Sequence, residues 1–250
     1  MTTSLILHTI FALLLLIFPF GALYLLDRPT IRPLAMAIIK GFVQLLIFAL
    51  IVWGVYKVDR IWLSLVWFLT MSVWGGFMVV SKCRLAVKDY LLPTSAGLFG
   101  GVLLVGLWLL TIVLPIEAIT AQWFVPIIAV LLGHSTTMLI RGLSSFTTMI
   151  QRNQAQYEFL LGNGATQWKA LMPFIRTSLL AVLSPTIANL STLALAGLPL
   201  LFCGMLIGGF TPINAFAVML FTILGCIASS VLSLGITLFL TKKQSTKIEI

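Results

Sequence analysis

The chain has 250 residues, of which 60% are hydrophobic and only 8% are charged. Soluble domains carry about 25% charged residues, so this composition excludes a water-soluble globular fold and describes an integral membrane protein. The net charge of +9 does not describe a nucleic-acid binder, because the basic residues sit at the ends of apolar runs, where orientation signals lie.

The N-terminal stretch MTTSLILHTIFALLLLIFPFGALYLLD lacks the basic n-region of a signal peptide. Its apolar run of about 20 residues is longer than the usual 7–15 of such a peptide, so it reads as a retained transmembrane helix. Crossing about 30 Å of hydrocarbon takes about 20 apolar residues, which places spans at 4–26, 38–56, 61–81, 91–114, 123–145, 177–201 and 212–240. Sheets would leave backbone groups unpaired in lipid, so the spans are helices. The expected fold is all-α: one polytopic domain over 1–250 with seven transmembrane helices and a polar segment at about 146–176.

An odd number of spans puts the termini on opposite sides, and the basic residues choose which. With the N-terminus outside, 13 of the 15 Lys and Arg are cytoplasmic, and only Lys57 and Arg60 are not. The positive-inside rule therefore predicts a multi-pass cell-membrane protein, in the inner membrane of a bacterium, with an outer N-terminus and a cytoplasmic C-terminus. The outer connections, Lys57–Arg60, Pro115–Gln122 and Gly208–Pro212, are short. Within the spans, Gly97-x-x-x-Gly101 with Gly106 beyond it allows close helix approach, either inside one subunit or between two. Pro126, Pro185 and Pro199 interrupt the helical hydrogen-bond ladder and favour bends.

Chemistry is sparse. No Gly is followed by Lys, so there is no P-loop, and neither HExxH nor GxSxG occurs. The chain is not expected to be an enzyme or to hold a cofactor. All six acidic residues (Asp27, Asp59, Asp89, Glu117, Glu158 and Glu249) fall in or beside loops. An ion-driven carrier usually keeps a carboxylate at depth, so an external energy source is the simpler expectation. Cys83, Cys203 and Cys226 are isolated and read as small apolar side chains rather than as a disulfide framework. His134 lies deep in a span, where an imidazole lines a pathway, ligates a metal or bonds within the bundle. Gln44 and Asn189 offer the same choice between pathway and helix–helix bonding. Met205 and Cys203 are soft donors that serve equally as filler.

The polar insert Gln151–Pro173, QRNQAQYEFLLGNGATQWKALMP, interrupts this apolar chain. Tyr157, Leu160, Leu161 and Gly164 recur at helical spacing, and Gly162-Asn163-Gly164 permits a closing turn with positive φ. The alternative is a helix lying on the membrane surface, which calls for more Lys and Arg than this Gln-rich face carries.

Glu158 followed by Gly164 in EFLLGNGAT resembles the glutamate–glycine cytoplasmic loop of ABC transporter permeases. Arg176-Thr-Ser178, Pro185, Leu198-Pro199, Gly204, Gly209 and Pro212 downstream, with Gln44-Leu45, Pro126 and Gly133 upstream, are similar in order and spacing to the FetB-like permease family. That family holds bacterial iron exporters and plant aluminium-tolerance permeases, and the resemblance covers residues 38–240. It implies a homodimeric permease subunit that exports a metal ion such as iron. ATP and Mg²⁺ would be bound by a separate cytoplasmic ATPase, coupled through Glu158, Leu161, Gly164, Ala165 and Thr166. His134, Gln44 and Asn189 remain candidate pathway residues. The chain departs from the family at Leu200, where Leu-Pro-Gly becomes Leu198-Pro199-Leu200, and at His134, where an Asn is usual. It also departs at Ala188, in place of an Asp, and at Val218-Met219, in place of Tyr-Gln. Two other classes stay open: an ion-coupled secondary transporter and a membrane scaffold without transport activity.

Overall fold

A computed structural model describes residues 11, 14–26, 28–58, 60–114, 120–191 and 200–241. Within them the chain is helical, in two compact units, Met1–Lys57 and Val58–Ile250. The first unit holds α1 (Ile17–Leu26), a 3-10 turn at Arg28–Thr30, and most of α2 (Ile31–Val58). Arg28 ends α1 by donating from Nε to the Tyr24 carbonyl at 3.3 Å, with its guanidinium 4.3 Å from the Tyr24 ring centroid. Such a cation over a ring screens a charge that borders an apolar helix.

The second unit contains α3 (Ile61–Lys82), α4 (Val87–Trp108) with a π-helical turn at Leu109–Val113, and α5 (Ala121–Arg152). It continues with α6 (Gln154–Gly162), α7 (Gln167–Ser191), α8 (Leu200–Ile207) and α9 (Pro212–Thr241). Helix α4 packs between α3 and α9, and α5 touches α3, α4, α7 and α9. Phe68, Leu98, Leu110, Ile128, Leu139, Leu143, Phe174 and Leu234 form the core. The π turn widens the end of α4 and keeps Leu109 and Leu110 buried.

Six helices among the described residues are long and apolar enough to cross a membrane, where the sequence predicts seven. They are Arg28–Val58, Ile61–Lys82, Val87–Val113, Trp123–Arg152, Gln167–Ser191 and Pro212–Thr241. Much of the expected first span, 4–26, lies outside the described residues, and its described helix Ile17–Leu26 has ten residues. Ten residues rise about 15 Å, half of the hydrocarbon thickness. The opposite placement of the termini depends on that seventh crossing. The connection 115–119, the Leu198-Pro199 pair, Asp27, Asp59, Glu249 and the basic residues after Thr241 also lie outside the described residues.

The helices run longer than apolar runs alone indicate. Helix α5 continues past the expected end at 145 to Arg152. Its hydroxyls satisfy themselves on the helix: Thr147 Oγ1 donates to the Leu143 carbonyl at 3.0 Å. Helix α7 starts at Gln167, ten residues before the expected 177, because Ala170, Leu171 and Phe174 are buried. Pro93 and Pro173 also lie inside helices, beside Pro126 and Pro185.

Small residues bring α4 and α9 together. A Cβ built on Gly97 would collide with Thr237 Oγ1 and lie 2.8 Å from the Ser233 carbonyl. One on Gly101 would collide with Ser233 Oγ and lie 2.6 Å from the Ser233 nitrogen. The Gly97-x-x-x-Gly101 pattern is therefore used within one chain.

Candidate functional site

The polar insert is two short bends around a nine-residue helix. Asn153 alone separates α5 from α6, and its Nδ2 donates to the Met149 carbonyl at 3.0 Å. Helix α6 is anchored through Tyr157, whose ring meets Phe174 of α7 edge-on with centroids 6.4 Å apart. Its end is closed by two reverse bonds, Gly164 N–H to the Leu161 carbonyl at 3.0 Å and Ala165 N–H to the Leu160 carbonyl at 3.1 Å. This closure needs a left-handed residue at its fifth position, and Gly164 supplies it with φ +80°. Gly162 stays helical, so one glycine of the pair does the work.

Thr166 then opens α7 as its N-cap, its Oγ1 accepting from the Lys169 N–H at 3.5 Å. The Gly164-Ala165-Thr166 triplet is thus accounted for by local geometry: glycine ends one helix and threonine begins the next. Other exposed side chains of the segment lie on α6 itself. Glu158 is exposed and accepts from Gln154 Nε2 at 2.9 Å. Leu161 is 38% exposed, and Phe159 between them is 68% exposed. Sequence reasoning missed Phe159, since its neighbours Leu160 and Leu161 drew the apolar face. The helices flanking the segment, expected to end at 145 and to start at 177, extend toward it to Arg152 and Gln167.

The candidate pathway residues fall in different places. Gln44 is exposed on α2 of the first unit. His134 on α5 is half-buried, and its Nε2 is enclosed and meets no hydrogen-bond partner among the described residues. Two contacts set the α5–α7 register: Ser178 Oγ donates to the Gly142 carbonyl at 2.7 Å, and Thr186 Oγ1 lies 4.0 Å from Met138 Sδ. Continued one turn in this antiparallel pair, that register brings Asn189, exposed on α7, to the depth of His134. Met205 lines a small apolar pocket of about 160 Å³ with Trp123, Pro126, Leu201, Phe210 and Thr222.

No group of three or more His, Cys, Asp or Glu able to hold a metal occurs among the described residues. The three cysteines are free thiols. Burial pushes the Cys83 thiol, at the end of α3, up to about 11 despite a backbone hydrogen bond that lowers it.

Six membrane-length helices, a hydroxyl-lined helical core and short connections define a multi-pass helical membrane protein. The chain belongs to the uncharacterised protein family UPF0014, which it matches over residues 6–245. It is 23% identical to the Probable iron export permease protein FetB of Escherichia coli, over 82% of this chain and 78% of that protein. It is 22% identical to the UPF0014 membrane protein YjkA of Bacillus subtilis, over 84% and 83% respectively. It is 24% identical to the Protein ALUMINUM SENSITIVE 3 of Arabidopsis thaliana, over 70% of this chain and 63% of that one. The kinship expected with the FetB-like family is borne out. No solved structure matches the chain significantly.

Proposed function

We propose that this chain is the permease subunit of an ABC transporter, working as a homodimer with two copies of a separate ATPase and exporting a metal ion. The observation that carries this reading is α6, a short helix held outside the spans that exposes Glu158, Phe159 and Leu161 between two long crossing helices. An exposed aromatic and a leucine beside a carboxylate make a small patch with an apolar centre and a charged rim, the composition of a protein contact. Alternation of the crossing helices puts this patch on the same side as the basic turn Lys82–Asp89, the cytoplasmic side by the positive-inside rule. Binding and release of ATP on the partner would move α6, and α5 and α7 would carry the movement into the membrane around His134 and Asn189.

Kinship supports the cargo: a probable iron export permease is named among the relatives. The test is co-purification of a cognate ATPase with the chain, followed by metal-stimulated ATP hydrolysis in proteoliposomes. Glu158→Lys is expected to abolish both capture and stimulation while the permease stays folded. Full capture and full hydrolysis with that variant would falsify the reading.

A further inference from the structure

Helices α3 and α4 leave an open apolar trough of about 610 Å³ between them, lined by Leu69, Val73, Leu92, Ala96 and Phe99, with Lys88 at one end. At its other end Phe99 lines it, stacked on the buried ring of Phe68 with centroids 4.9 Å apart. From Val87 to Phe99 the helix rises about 18 Å, close to the depth of one leaflet of a roughly 30 Å hydrocarbon core. The trough thus runs from the helix end to mid-membrane, the path of a single acyl chain.

The mouth is cationic. The turn between α3 and α4 carries Lys82, Arg84 and Lys88, all exposed, against one carboxylate, Asp89, also exposed. Arg84 occupies the left-handed position of the turn, φ 55°, the one non-glycine residue with positive φ among those described. A glycine would adopt that conformation without strain, so a guanidinium sits here against the local backbone preference. Helix α4 starts at Val87 after an N-cap, Ala86, that offers no side-chain bond. The Asp89 amide turns back to the Ala86 carbonyl at 3.2 Å, and the Val87 and Lys88 amides ahead of it face the turn, where helix geometry favours an anion.

We infer that the α3–α4 trough binds an anionic glycerophospholipid, one acyl chain lying between Leu92 and Val73 and the phosphate held at Lys88 and the start of α4. Charge decides between occupants. A zwitterionic lipid would fill the trough but leave the turn's excess of positive charge, Lys82, Arg84 and Lys88 against Asp89 alone, without a net negative partner. A second copy of this chain would bring its own basic turn, and like charges would meet. An interfacial Lys or Arg contributes about 1 kcal/mol toward anionic lipid.

The experiment reconstitutes the full chain in nanodiscs of equal phosphatidylglycerol and phosphatidylcholine, extracts it with neutral detergent, and measures retained lipid by native mass spectrometry. Wild type should retain phosphatidylglycerol in preference to phosphatidylcholine. Lys88→Gln should lower that preference about five-fold, which is 1 kcal/mol as a ratio. Ala96→Trp, filling the trough, should remove bound lipid of both kinds. Should that variant fail to fold, wild type and Lys88→Gln decide the matter. Equal retention of the two lipids by wild type, or a preference untouched by Lys88→Gln, overturns the inference. So does a wild-type dimer that retains no lipid and separates on Ala96→Trp.

Discussion

Ser178 on α7 donates its hydroxyl to the backbone carbonyl of Gly142 on α5 at 2.7 Å, at a point where Gly142 itself has no room for a side chain. A Cβ there would lie 2.8 Å from Val182 Cγ2 and 2.9 Å from Leu234 Cδ1, so α7 and α9 both close on the same glycine. Overpacking of this kind costs about 1–3 kcal/mol, whereas a helix–helix hydroxyl bond in a membrane protein averages about 0.6 kcal/mol. Gly142→Ala is therefore expected to lower the thermal transition of detergent-purified protein more than Ser178→Ala does. The reverse order would mean that the hydrogen bond, and not the close approach, holds α5 to α7.

The α4–α9 contact gives a sharper comparison between adjacent glycines. Gly101→Ala drives a methyl against the Ser233 backbone, which is part of a helix and moves only with it. Gly100→Ala meets only Ile236 Cδ1, at 3.3 Å, the far end of a flexible side chain. Gly101→Ala should destabilise by about 1–3 kcal/mol and Gly100→Ala by less than about 0.5 kcal/mol, read as thermal shifts of the purified chain.

On α6, the side chain that anchors the helix and the one proposed to dock are different. Tyr157→Ala removes the ring that meets Phe174 and should loosen the segment, seen as faster amide exchange from Gln154 to Gly162. Phe159→Ala removes an exposed ring and should leave exchange unchanged while weakening capture of the ATPase. Loss of ATPase capture in neither variant would assign the contact elsewhere.

Cys83 should behave as a slow thiol. Burial raises it from 9.0 to about 11, and the thiolate is the reactive form. Alkylation by iodoacetamide should therefore be slow at neutral pH and keep rising up to about pH 11. The sign for stability follows: an unfolded chain loses this proton at lower pH than the folded one. The contribution of Cys83 is thus intact below pH 9 and declines as pH rises through 9 to 11. A Cys83→Ala variant whose stability falls as steeply over that range as wild type would remove Cys83 as the cause.

His134 separates structural from pathway roles. Its Nε2 has no partner among the described residues, so His134→Ala breaks no bond at that nitrogen and should change stability by no more than about 1 kcal/mol. Transport and metal-stimulated hydrolysis should fall in the same variant. Unchanged transport returns His134 to the packing of the bundle.

Much of this architecture was legible because apolar runs and hydroxyl-rich helices obey simple rules. The third span, expected at 61–81, is α3 at Ile61–Lys82 almost residue for residue. The ends of α5 and α7 were not legible. Ser144, Thr147 and Gln167 lower the local hydropathy, yet the helix continues because Thr147 bonds its own backbone and Phe174 supplies buried area. The Gly162-Asn163-Gly164 turn was readable as a place for positive φ, since glycine permits it; the capping role of Thr166 was not read, because the triplet had been assigned to coupling. The exposure of Phe159 was not, because a run of three apolar residues does not say which one faces away. The depth shared by His134 and Asn189 needed the α5–α7 register, which depends on Gly142 and Ser178 meeting across 36 residues.

The bends on either side of α6 have a mechanical meaning. One residue, Asn153, joins it to α5, and two, Ala165 and Thr166, lie between its closing turn and α7. Backbone or side-chain hydrogen bonds hold both bends, so there is no spare length to take up a displacement. A rotation of α6 must appear at the adjoining ends of α5 and α7, as it would in a crank with stiff joints. Inserting a few glycines after Thr166 would add compliance without removing a single contact of α6.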